Sequence, residues 1–188
     1  MVGTESDVRL DALVYQDHLA ESIAIPIAYE ITNNRKSQIL VADIVPLASY
    51  DPETHTVTID LGSEIPGESF LPRLIPIRPE EKKTFHQVAH LAIAARPGSP
   101  WAPRPDRVRI KLNFLNDAKP FEQLVDMHEK GLYDPKLAAD LFPKWVDGNE
   151  TVVTNALPMR WGAGGQEMAS PSAMQPPTPR GGRRGDRP

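Results

Sequence analysis

The chain has no cysteine among its 188 residues, which removes disulfides, thiolate zinc sites, iron–sulfur clusters and thiol nucleophiles together. The fold must hold by packing alone. Aromatics are scarce at 6%, and no stretch approaches the roughly 18 consecutive apolar residues that a membrane-spanning helix needs. Met1 to Leu10 carries Glu5 and Asp7 and no apolar segment of the secretory kind; the expectation is cytoplasmic residence. Catalytic signatures are missing too. Ser22, Ser49, Ser63 and Ser69 lack a GxSxG elbow. Asp51, Glu53, Asp60 and Glu64 cluster without the spaced acids and central glycine of a calcium loop. Gly162, Gly164 and Gly165 have no strand–loop–helix context for a phosphate. These absences favour binding over catalysis, and no cofactor is expected.

Proline is what the chain has in excess: 20 residues of 188, roughly twice ordinary usage. Each one forbids a helix interior and a central strand ladder at its position, so short strands and few long helices are expected. The length suits one core with appendages. Apolar residues at 40% and charged residues at 24% suit a globular protein.

The first 116 residues read as short strands separated by turn chemistry. Val8, Leu10, Ala12 and Val14 alternate, and so, strictly, do Ile23, Ile25, Ile27, Tyr29 and Ile31. Pro26 cannot donate to a ladder, which predicts an edge strand or a bulge there. Asn33 and Asn34 supply a turn, and the apolar run Gln38 to Val45 predicts the second arm of a hairpin. Val57, Ile59 and Leu61 alternate next. Phe70 to Ile77, broken by Pro72 and Pro76, reads as an irregular edge segment. Val108, Ile110, Leu112 and Phe114 alternate with Arg107, Arg109, Lys111 and Asn113, giving one apolar and one basic face.

Residues 79–95 admit two readings. As a helix, Pro79 opens the first turn and Glu80 and Glu81 complement the dipole. As a strand, Phe85, Ala89, Leu91 and Ile93 share one face with polar Gln87, and the regular spacing of neighbouring strands favours this reading. The whole pattern predicts a mainly β fold, an antiparallel β-sandwich of immunoglobulin-like or fibronectin-like architecture. The Cys and Trp core hallmarks of antibody domains are missing, and such a superfold names no function.

Residues 117–162 change character and predict a helical extension packed on the sandwich. Phe121, Leu124, Val125 and His128 have helical spacing up to Gly131. Asp134 and Pro135 offer an N-cap and a first-turn proline for a second helix through Leu137, Leu141 and Phe142. Thr151 to Thr154 adds a strand. Residues 163–188 hold too little apolar area to offset the entropy of ordering, which predicts a disordered tail. Four arginines against Glu167 and Asp186 leave that tail at +2, so that residues 1–162 carry −6 of the net −4. An acidic body does not coat nucleic acid.

Three groups of residues could carry function. His86 and His90 share one face in either secondary structure, which opens the alternative of a metal-dependent enzyme, although Gln87 stands where a zincin has glutamate and no third ligand has a fixed spacing. Arg107, Arg109 and Lys111, with Trp101 in its proline-rich loop, could meet a partner protein, or the basic row could meet the body's own acids across a neighbouring strand. Arg180, Arg183 and Arg184 lie in an Arg/Gly string that resembles weak RNA-binding segments, a second alternative. The leading expectation is a non-catalytic protein-binding or adapter module, engaged by strand addition at an edge or through loops and tail, with no membrane partner.

Overall fold

The computed structural model describes residues 1–20, 22–92, 104–125 and 127–161. In chain order its elements are β1 (Val2–Glu5), β2 (Val8–Val14), β3 (His18–Leu19), β4 (Ser22–Asn33), β5 (Ile39–Ala42), β6 (Leu47–Asp51), β7 (Thr56–Leu61), β8 (Phe70–Pro72), β9 (Leu74–Ile77), β10 (Lys82–Ala92), β11 (Arg107–Leu115), β12 (Gly131–Tyr133), helix α1 (Pro135–Gly148), β13 (Asn149–Val153), β14 (Leu157–Pro158) and β15 (Arg160–Trp161). A 3-10 turn spans Lys119–Leu124. The strand reading of the segment after Pro79 holds over Lys82–Ala92; Ile93 and the rest of that segment beyond it lie outside the described residues. No helix among the described residues is long and apolar enough to cross a membrane.

The protein is mainly β, built on one mixed sheet in the order β1-β2-β4-β10-β6-β7-β11-β5-β9, with β13 and β14 also on β11. Within this sheet the expected all-antiparallel ladder is broken twice, and the separate pair of β3 with β15 is parallel as well. β7 and β11 run parallel over six residues, Thr56–Leu61 beside Arg107–Leu112, because the chain between them crosses over through β8, β9 and β10 before returning. β6 meets β10 in parallel at a single pair, His90 with Leu47.

Period-two alternation explains the core. Val8 and Leu10 of β2, Ile25, Ile27 and Ile31 of β4, Val57 and Ile59 of β7, and Val108, Ile110 and Leu112 of β11 are buried in one cluster. The sheet therefore folds over on itself, with inward rows from both halves sharing that cluster. A second core lies under α1, where Leu71, Leu74, Phe121, Leu124, Leu141 and Trp145 pack together. β5 divides the two. All four of its residues are buried, with Ile39 and Val41 in the first core and Leu40 and Ala42 in the second.

Three local expectations are corrected. β4 is central, flanked by β2 and β10, despite Pro26. β2 stops at Val14, and the Tyr15 N–H donates to the Pro26 carbonyl at 3.1 Å, so the missing proline N–H falls where that ladder ends. The Asn33–Asn34 turn makes no hairpin, since β5 pairs with β9 and β11. The buried Asn33 amide instead donates to the Ser37 and Ile77 carbonyls at 2.9 and 3.0 Å, sending the chain to the other half of the sheet. The helix expected from Pro120 to Lys130 shrinks to the 3-10 turn because Val125 is extended and bridges Leu74. Pro135 opens α1, and the Asp134 side chain accepts from Leu137 N at 3.0 Å.

At one end the folded sheet nearly closes. Val2 N donates to Asn155 Oδ1 at 2.8 Å, and Asn155 N donates back to the Val2 carbonyl at 3.0 Å. A Cβ on Gly3 would meet the Val153 carbonyl oxygen, so glycine permits the approach of β1 to β13. Among the described residues the opposite flank, between β10 and β6, is paired only at His90 with Leu47.

Candidate functional site: the open flank of β10

The phase of the β10 ladder follows from its neighbours. In an antiparallel pair each residue sends its N–H and C=O to the same side, and successive residues alternate. Tyr15 N bonds to Pro26 and Asn34 N to the Asp7 carbonyl, so even residues of β4 serve β2; Asn33 N bonds to the Glu81 carbonyl, so odd ones serve β10. With Tyr29 opposite Phe85 and Ile27 opposite Gln87, the odd residues of β10 are spent on β4. Even residues aim their backbone outward, as His90 does in meeting Leu47. Thr84, His86 and Val88 thus present their amides and carbonyls on a flank where, among the described residues, β6 is the one paired strand and pairs with β10 at His90 alone. β6 cannot extend along this edge, because Pro46 precedes Leu47 and proline has no N–H to give.

Side chains frame this edge in two ways. Around its Val88 end, Val45, Leu47 and Val88 are exposed apolar residues, at 65%, 67% and 43%. At its Lys83 end is a groove of about 460 Å³ lined by Arg73, Leu74, Ile75, Pro76, Lys83, Met127 and His128. Lys83 Nζ donates to the Pro76 carbonyl at 3.3 Å and has no carboxylate within ion-pair distance among the described residues. Arg73 is held by Asp43, its Nε 3.1 Å from Oδ2, and reaches the Met127 carbonyl at 3.4 Å. On the core side of β4 and β10, Tyr29 and Phe85 stack with ring centres 5.0 Å apart, and the Tyr29 hydroxyl donates to Gln87 Oε1 at 3.2 Å. Burial, with the charge of Asp43, pushes the Tyr29 phenol well above its ordinary value.

The residues singled out by sequence fall in different places. His86 and His90 are exposed on the outer face of β10, opposite Ala28 and Ala24. Four residues on a strand span roughly 13 Å, and Val88 stands between them on the same face, so sharing a face does not bring them together for co-ligation. Among the described residues no group of three or more His, Asp or Glu could hold a metal ion. Arg107, Arg109 and Lys111 lie on β11 and meet the chain's own groups. Arg107 Nε is 3.5 Å from Asp106, Arg109 Nε donates to Thr58 Oγ1 at 3.0 Å, and Lys111 Nζ reaches Glu64 at 2.8 Å and Asp60 at 4.0 Å. Burial raises the Asp60 carboxyl, with Lys111 opposing. Trp101, Arg180, Arg183 and Arg184 lie outside the described residues.

Sequence reasoning missed the open edge and the groove. The one available signal was the composition of Lys82 to Ala92, which holds two lysines and two histidines and no acid. No protein-family profile matches the chain, and no curated protein or solved structure matches it either.

Proposed function

We propose that the protein is a non-catalytic binding module that takes up an extended segment of another protein as an added strand along β10. The observation that carries this reading is that, among the described residues, no strand pairs with Thr84, His86 or Val88 on the side of the eleven-residue β10 where β6 pairs at His90. Unpaired strand edges are templates for another chain, and main-chain hydrogen bonds supply the affinity in such complexes. The twelve-residue β4 behind it gives β10 a full ladder of support, so the edge is presented on a rigid element. The exposed Val45, Leu47 and Val88 offer apolar contact to alternate side chains of an incoming strand.

Selection of peptides from a random phage-displayed library on the purified protein tests this. His86→Pro removes the central outward N–H and leaves the β4 side of the ladder alone, whereas His86→Ala keeps that N–H and removes only the imidazole. Selected peptides are expected to bind the wild type and His86→Ala and to lose His86→Pro by at least tenfold. Equal binding to all three proteins overturns strand addition.

A further inference from the structure

Resting on that reading, we infer that the added strand is one with an acidic side chain in the groove at Lys83 and an apolar side chain five positions away, against Val88 and Leu47. Two features of the edge set this pattern. The body is net acidic at −6 over residues 1–162, yet β10 carries Lys82, Lys83, His86 and His90 and no carboxylate. A segment bearing negative charge is therefore repelled by the molecule at large and attracted along this strand; the other basic row, on β11, already meets Asp106, Thr58, Glu64 and Asp60.

The two ends of the edge differ in kind. Lys82 already has Glu30 at 3.5 Å, and Arg73 has Asp43, whereas among the described residues the Lys83 ammonium in the groove meets only the Pro76 carbonyl at 3.3 Å. A carboxylate entering there gains the charge of Lys83, with Arg73 and His128 in the same lining and Leu74, Ile75, Pro76 and Met127 shielding the pair. At the other end β10 carries no lysine or arginine; the exposed groups there are Val88, Leu47 and Val45. Lys83 and Val88 point to opposite faces of β10, being separated by an odd number of residues. Partner residues opposite them are likewise five apart and on opposite faces of the added strand. The required pattern is thus acid and apolar at i and i+5, in one order for a parallel addition and the reverse for an antiparallel one.

The test uses fluorescein-labelled eight-residue peptides of serine and threonine, blocked at both ends. One carries glutamate at its second and valine at its seventh position, and a second carries the two in reverse order. Fluorescence polarisation against the full chain is expected to show saturable binding of one of the two orders. Replacing its glutamate by lysine, or using Lys83→Gln protein, is expected to weaken binding at least tenfold, and replacing its valine by serine several-fold. Circular dichroism of Lys83→Gln and His86→Pro is expected to match the wild type, and a variant whose spectrum departs from it is replaced by Lys83→Met or Thr84→Pro. Undiminished binding of the lysine peptide, or no binding of either order, overturns the acidic pattern. If peptides from the library selection meanwhile remain sensitive to His86→Pro, strand addition stands without it. Acidic-peptide binding that His86→Pro leaves unchanged removes strand addition, and this inference with it.

Discussion

The Arg35 guanidinium lies 3.0 Å from the Glu150 carboxylate and 5.7 Å from the centre of the Phe114 ring, joining the chain ahead of β5 to β13 across the end of β11. Both side chains are about three-quarters buried. Burial alone would raise the Glu150 carboxyl, but hydrogen bonds from Asn116 and Arg35 and the charge of Arg35 hold it below its ordinary value of 4.5.

A depressed folded-state pKa means that the unfolded chain binds more protons. The stabilisation from Glu150 is therefore complete above pH 4.5 and is lost as pH falls through the lower folded value. Urea unfolding of the wild type is expected to weaken over that acid range. Glu150→Gln, which cannot ionise, is expected to be less stable at pH 7 and to show a flatter acid dependence. Parallel acid profiles for the two proteins would refute this assignment.

Trp145 is fully buried, packs edge-on to Phe121 at 5.5 Å and donates its Nε1–H to the Ser63 carbonyl at 3.1 Å. Trp145→Ala is expected to cost about 3–5 kcal/mol of unfolding free energy. Trp145→Phe keeps the ring contact and leaves the Ser63 carbonyl without its donor, at a cost of about 1–3 kcal/mol. Denaturant midpoints measure both, and a phenylalanine variant as unstable as the alanine one would mean that the indole N–H, not the packing, carries the site.

Gly62 has φ +71°, and a Cβ there would collide with the Asn113 carbonyl oxygen. Gly62→Ala is expected to destabilise by at least about 1–2 kcal/mol from the left-handed backbone alone, with the collision adding to it. An unchanged melting temperature would contradict this geometry at the end of β7.

Amide hydrogen exchange reads the phase of β10 directly. Phe85, Gln87 and Ala89 amides, spent on β4, are expected to exchange slowly, and those of Thr84, His86 and Val88 at least about tenfold faster. Equal protection of both sets would mean that the edge is already occupied, and would count against the binding proposal before any ligand is added.

The strands that alternate strictly were legible because one face of each is buried. Ile23 to Ile31 and Val108 to Phe114 fall inside β4 and β11 as read. Their neighbours were not legible. Pairing is set by contacts distant in sequence, such as the Asn33 amide reaching Ile77 across 44 residues, and no local pattern announces these. The same holds for β7 beside β11, whose parallel register depends on a crossover. Pro26 misled because its ladder cost depends on where the partner strand ends. The open edge was invisible for a related reason: an unfilled position beside β10 is a property of how far β6 reaches, not of any residue in β10. Only the basic character of that strand was on view in the sequence.

β5 puts alternate side chains into two cores from a backbone of four residues. Neither core can loosen without withdrawing half of that strand's anchoring from the other. The two hydrophobic clusters are therefore tied through β5, and α1 and the folded sheet are expected to melt in one cooperative transition.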